Sequence, residues 1–341
     1  MDNIDESRHN YQSFGISELP VILPDTLKIL DCSVNEISLL TYMPISLEHL
    51  DCSNNVLISI ASNVLPSTLR TINISRNRLS RLDLASLVNL RRIDCSFNFI
   101  SHVSNIPINL KELYCSNNII RTVPLNVFPR ALEILDISRN RLFEINEYMP
   151  KYLKKLNCSE NGILTIKKNC LNNIEEIDCS RNLLTSLSIG IFSQKLKTLE
   201  CYNNLIYEIE PGCFPDTLEY LDCSNNVLNR IEKGVLPTGL KTLRILNNHG
   251  LIRLENIPIG LVELVCNNIY YVDNLSVHRI KFSLKGYQSI RRIQKRMKRR
   301  FKRKLEAVLL IQRKCHNWLW APVCKDGKIG IHLRMDLLDL F

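Results

Sequence analysis

The sequence predicts an α/β-type solenoid that is mostly β, closed by a basic C-terminal helix. Three observations predict it. A motif of the form LxxLxCSxNxI recurs every 20 to 22 residues from Leu27 to about Asn268. Within each copy the fourth and sixth positions alternate with the third and fifth, the period of a strand with one buried face. Residues 278–314 then hold 15 Lys and Arg against the single acid Glu306, with apolar residues three and four apart as on an amphipathic helix.

The bulk composition leaves room for this. The chain has 341 residues, 45% hydrophobic and 23% charged, which is far from the low-hydrophobicity signature of disorder. No apolar run reaches the ~18 residues that a membrane span needs. The opening MDNIDESRHN is polar and lacks an apolar core, so no secretory signal is expected. An intracellular protein, cytoplasmic or nuclear, with reduced thiols follows as the expectation. The net charge of +10 is unevenly placed: the 278–314 segment carries +14 and the remainder −4.

Residues 1–26 read as an N-terminal cap, and 27–277 as about twelve turns. The copies begin LKILDCSVNEI at Leu27, LEHLDCSNNVL at Leu47, LRTINISRNRL at Leu69, LRRIDCSFNFI at Leu90, LKELYCSNNII at Leu110 and LEILDISRNRL at Leu132. They continue as LKKLNCSENGI at Leu153, IEEIDCSRNLL at Ile174, LKTLECYNNLI at Leu196, LEYLDCSNNVL at Leu218, LKTLRILNNHGL at Leu240 and LVELVCNN at Leu261. One turn of this length fits a strand and an extended return but no long helix. Twelve strands ~4.8 Å apart make a sheet on the order of 50 Å long. A single turn cannot bury its own core, so stacking has to.

Nine of the twelve sixth positions are Cys, from Cys32 to Cys266, and the others are Ile74, Ile137 and Ile245. Interchange with Ile marks buried apolar filler, as free Cys often is. A single-file thiol column does not supply the converging ligands of a tetrahedral metal site, and no metal or cofactor is expected. Asn recurs at the ninth position, where the chain leaves the strand and its backbone groups need partners. An inward amide carries both donors and an acceptor to meet them.

This pattern resembles the leucine-rich repeats, whose unit contains LxxLxLxxNxL. The turns LPDTL, LPSTL, FPDTL and LPTGL before several strands are similar to those of the short-repeat classes. The Cys-Ser-x-Asn signature resembles repeat proteins of large DNA viruses of amoebae. The resemblance implies a right-handed superhelix with a concave parallel β-sheet, and a protein-binding role rather than catalysis. It also implies that the third, fifth and seventh positions face outward on the concave side.

The fifth position reads Asp31, Asp51, Asn73, Asp94, Tyr114, Asp136, Asn157, Asp178, Glu200, Asp222, Arg244, Val265. Stacked acids ~5 Å apart repel by ~1 kcal/mol even in water. The cations at the second position, among them Lys154, Lys197 and Lys241, are the expected offset. The strip is either a solvated mixed-charge surface or an acidic site for a basic protein partner. Tyrosines, which bury large area at low entropic cost, choose the place. The first candidate patch is Glu176, Asp178, Glu200, Tyr202, Tyr220 and Asp222. The second is Arg92, Phe97, Glu112 and Tyr114.

Residues 278–321 read as the basic amphipathic helix. Ile293, Gln294, Lys298 and Arg303 resemble an IQ motif, IQxxxRGxxxR, with Lys for the first Arg and Arg299 for the Gly. A calmodulin-like protein or nucleic acid is the candidate partner of 290–314, and a basic helix that packs on the mildly acidic solenoid or lies in solvent is the structural alternative. Residues 322–341 read as a hairpin-like segment around Asp326-Gly327. Cys315, His316, Cys324 and His332 fit no ligand spacing. No phosphate loop, HExxH helix or GxSxG elbow occurs, so no enzyme is expected.

Overall fold

The computed structural model describes residues 7–282, apart from 21, 62, 249, 252, 255–256, 268–270 and 273–280. The chain divides into two units, Met1–Ser283 and Leu284–Phe341. The IQ-like positions Ile293, Gln294, Lys298 and Arg303 and the 322–341 segment lie outside the described residues.

Fourteen strands form one sheet in chain order. They are Arg8–Asn10, Ile29–Asp31, His49–Asp51, Thr71–Asn73, Arg92–Asp94, Glu112–Tyr114, Ile134–Asp136, Lys155–Asn157, Glu176–Asp178, Thr198–Glu200, Tyr220–Asp222, Thr242–Arg244, Glu263–Val265 and Lys281–Phe282. Every adjacent pair is parallel and in register, repeat position on repeat position. The chain is thus a parallel β-solenoid of about twelve repeat turns, and the sheet gains one strand beyond them at each end. Arg8–Asn10 comes from the 1–26 cap. Lys281–Phe282 comes from within 278–321, which the sequence reads as helix.

Each strand covers only the third to fifth positions. The fourth is buried in every strand from Ile29–Asp31 to Glu263–Val265, as Leu50, Ile93, Leu156 and Leu221 illustrate. First, sixth and eleventh positions join it, for example Leu27, Cys32 and Ile37, to make one continuous core along the solenoid. All eleven cysteines among the described residues are buried and unbridged. Burial pushes the thiols of Cys32, Cys170, Cys213 and Cys266 up to about 12, so they stay protonated and serve as small apolar filler.

The exit from the strand is where the repeat is most constrained. The eighth residue of each turn takes positive φ, from Val34 (59°) through Phe97 (56°) and Glu160 (52°) to Asn247 (54°). Asn tolerates this region best, and Asn54, Asn117, Asn203, Asn225 and Asn247 occupy it. The ninth residue, always Asn in the first eleven turns, then ties one turn to the last. Asn182 shows the pattern. Its Nδ2 donates to the carbonyls of Cys179 (3.0 Å) and Ser180 (3.1 Å) in its own turn and Cys158 (3.0 Å) in the preceding one. Its Oδ1 accepts from the Ile163 amide at 3.0 Å. The same set repeats from Asn55 to Asn248. At the start, Asn35 bonds Tyr11 O and the Ile16 amide, so the cap supplies what a preceding repeat would.

The return segments pair in short parallel bridges, Glu144–Ile145 with Thr165–Ile166 and Ser186–Leu187 with Glu208–Ile209. Gly190, Gly212 and Gly234 stack there one turn apart with φ between 80° and 88°, a conformation glycine adopts without strain.

Replacing Asn182 by Ala strands three buried carbonyls and one amide on partners from two turns. We expect a loss of about 3 kcal/mol in urea unfolding, given ~1–3 kcal/mol per unsatisfied buried group. A change under 0.5 kcal/mol would contradict the ladder's role. The eleven buried thiols should react with a thiol–disulfide reagent only at denaturant concentrations that unfold the solenoid. Rapid labelling of the native chain at more than the two remaining cysteines would contradict their burial.

Candidate functional site on the sheet face

The register brings the first candidate patch together. In the third-position column Lys155, Glu176, Thr198, Tyr220, Thr242 and Glu263 are successive neighbours, and in the fifth Asn157, Asp178, Glu200, Asp222, Arg244 and Val265 are. Side chains two apart on a strand share a face, so Tyr220 and Asp222 stand side by side with Glu200 next to Asp222.

Most of the acidic column is occupied by its own backbone. Asp31, Asp51, Asp94, Asp136, Asp178 and Asp222 each accept the amide of the serine two residues on at 2.9 to 3.0 Å, and Asn73 and Asn157 do the same at 3.1 Å. The recurring Asp-x-Ser is a strand-ending turn. Asp222 is also 3.0 Å from Arg244 Nε, although that N–H forms no hydrogen bond, which makes the contact an ion pair without directed geometry. Glu176 pairs with Lys155 at 2.9 Å.

Glu200 differs. Its carboxylate has no hydrogen-bond or ion-pair partner among the described residues. Partial burial pushes its carboxyl up, the charges of Asp178 and Asp222 add to that, and Arg244 opposes it. Asp136 is pushed up too, chiefly by burial, against the hydrogen bonds from Ser138. Tyr220 is half-buried beside this cluster, its hydroxyl pushed up by burial and by Asp222.

Two expectations are corrected. The second-position cations do not offset the acidic column: apart from Arg91, they pair within their own. Lys28 and Arg70 flank Glu48 at 3.6 and 2.9 Å, Lys111 and Lys154 flank Glu133 at 3.6 and 2.6 Å, Lys197 meets Glu175 at 2.9 Å, and Lys241 meets Glu219 at 2.8 Å. The seventh position does not face outward either. The strand ends at the fifth, and seventh-position serines such as Ser53, Ser180 and Ser224 are buried. Tyr202, at the same position, is half-buried.

The second patch is partly assembled. Arg92 stacks on the Tyr114 ring, Cζ 4.3 Å from its centroid. Its Nη1 donates to Glu112 Oε2 at 2.5 Å and Tyr114 Oη at 3.1 Å, and Tyr114 Oη donates to Glu112 at 3.1 Å. Burial works against the Arg92 charge, but Glu112 and Tyr114 together raise it. Phe97 is not part of this cluster's bonding. It sits in the left-handed turn with Arg76 Cζ 4.2 Å over its ring. Arg244, Lys155 and the charge order of the second position were missing from the sequence-derived site. An i-to-i+1-turn comparison of the charged columns carries that signal.

No family model matches the chain. Among curated proteins it is similar to Toll-like receptor 2 type-2 of Gallus gallus, 33% identical over 158 residues, which are 42% of this chain and 20% of the receptor. Among solved structures it is similar to YopM from Yersinia enterocolitica WA-314, with a TM-score of 0.68 and 28% identity over 79% of this chain and 58% of that one. The functional domain of InlJ from Listeria monocytogenes, described as including a cysteine ladder, shares the fold at TM-score 0.57 and 23% identity, over 80% of this chain and 65% of that one. The chain therefore spans less than two thirds of each of these relatives.

The Glu200→Gln variant should melt higher than the parent at pH 7. A raised carboxyl penalises the charged form in the folded state, so the penalty grows as pH rises through that range and vanishes below the ordinary carboxyl value of about 4.3. Thermal melts at pH 7 and at about pH 4, where the variant and parent should converge, test this. A Gln variant less stable at pH 7 would show that Glu200 has a stabilising cation after all.

Proposed function

We propose that this leucine-rich repeat solenoid is a non-catalytic protein-interaction module. It binds its partner on the concave face of the sheet, through Glu176, Asp178, Glu200, Tyr202, Tyr220 and Asp222. The observation that carries the reading is Glu200: a partly buried carboxylate between two others, left without a cation where neighbouring acids have partners. An Arg or Lys side chain from a partner would relieve that charge and lie against the Tyr220 ring. Arginine with tyrosine is the pairing enriched at binding hot spots. Arg92, Glu112 and Tyr114 have already satisfied one another, so this cluster serves as a neighbouring contact and not as the anchor.

No helix among the described residues is long and apolar enough to cross a membrane. The eleven unbridged thiols fit a reducing, intracellular compartment. Kinship with repeat proteins of amoebal DNA viruses rests on the Cys-Ser-x-Asn signature and the composition rich in Ile, Asn and Lys.

Photo-crosslinking from a benzophenone amino acid at Thr198 in the full chain, in cells, tests the reading. We expect a protein adduct whose yield falls about tenfold on Tyr220→Ala or Glu200→Lys, as for loss of a ~1.4 kcal/mol contact. It should persist when residues 290–314 are deleted. Loss on that deletion alone, with both point variants silent, would move the binding site to the basic segment and sink the proposal.

A further inference from the structure

The second-position column contains a site the sheet-face reading does not use. Successive members are joined by backbone hydrogen bonds of 2.7 to 2.9 Å, from Glu48 N to Lys28 O through Lys241 N to Glu219 O. In order they are Lys28, Glu48, Arg70, Arg91, Lys111, Glu133, Lys154, Glu175, Lys197, Glu219 and Lys241. Charge alternates at every step except two, Arg70 to Arg91 and Arg91 to Lys111. There three cations stack in consecutive turns, where like charges repel. Glu48 and Glu133 meet the outer two. Arg91, at the centre, meets no carboxylate among the described residues.

The guanidinium is nevertheless held in place. Arg91 Nη1 donates to the carbonyls of Val88 at 3.1 Å and of Leu90 and Asn109 at 3.4 Å. These contacts fix it against the loops that carry Val88 and Ile108, equivalent residues of adjacent turns. Their side chains are 46% and 68% exposed. The flank thus offers an unneutralised, positioned cation beside two aliphatic surfaces.

We propose that this flank, built from Arg70, Val88, Arg91, Ile108 and Lys111, binds an acidic protein segment with aliphatic side chains. One of its carboxylates takes the place of the glutamate the column lacks at Arg91. The planar guanidinium suits a carboxylate in two-point contact, and Val88 and Ile108 favour a peptide over a phosphate backbone, which has no apolar groups to lay on them. The site is separate from the Glu200 patch, and the two seek partners of opposite charge.

The probe is a synthetic peptide of alternating Glu and photo-leucine, irradiated with the full-length protein at moderate salt and mapped by mass spectrometry. We expect adducts on the loops bearing Val88 and Ile108. They should fall about tenfold in Arg91→Gln, fall less in Arg91→Lys, which keeps the charge but not the two-point fork, and weaken with added salt. Melting curves matching the parent show that Arg91→Gln still folds. Adducts confined to 281–314, adducts on Val88 and Ile108 indifferent to Arg91→Gln, or displacement by an oligonucleotide but not by unlabelled peptide would each overturn the proposal. None of these outcomes bears on binding at Glu200.

Discussion

The structure depends on one hydrogen-bonding problem solved eleven times. A chain that leaves a three-residue strand in a left-handed turn turns its carbonyls inward, away from water and from any regular ladder. Buried backbone groups of this kind are costly unless paired. The ninth-position Asn meets carbonyls of its own turn and of the one before, and accepts an amide from the one before. Each turn is therefore completed by its successor, which makes the repeats cooperative neighbours rather than independent folds.

That coupling sets the surface. Once adjacent turns are locked in register, every side chain at a given repeat position stacks on its equivalent, and charge must be managed along columns. The second position manages it by alternating sign, with Glu133 between Lys111 and Lys154. The fifth manages it differently. Its aspartates accept serine amides, so the negative charge is stabilised by the local backbone and like charges can stack. Glu200 falls outside the second device because its longer side chain replaces the Asp of the turn and Tyr202 replaces the serine. Arg91 falls outside the first because no glutamate sits beside it. The two proposed contacts are the two places where a column's own rule breaks.

The core adds a complementary constraint. Sixth-position residues from adjacent turns lie against one another, and the site accepts Cys or Ile but little else. Thiols there are protonated and buried, which keeps the ladder apolar and unreactive.

The sequence by itself determined the repeat length, the buried faces, the Asn ladder and the acidic fifth column, because each recurs at a fixed spacing and depends on contacts within a turn or with its neighbour. Glu176, Asp178, Glu200, Tyr220 and Asp222 could be placed on one face for the same reason. Tertiary structure decided how charges pair. Lys154 has a glutamate in the turn on either side of its column, Glu133 and Glu175, and only the direction of its side chain assigns it to Glu133. It also turned the seventh position inward, set Phe97 against Arg76 instead of Arg92, and extended the sheet into Arg8–Asn10 and Lys281–Phe282, where no motif remains. Periodicity specifies which residues are neighbours. Side-chain direction, fixed by packing between turns, specifies which of those neighbours interact.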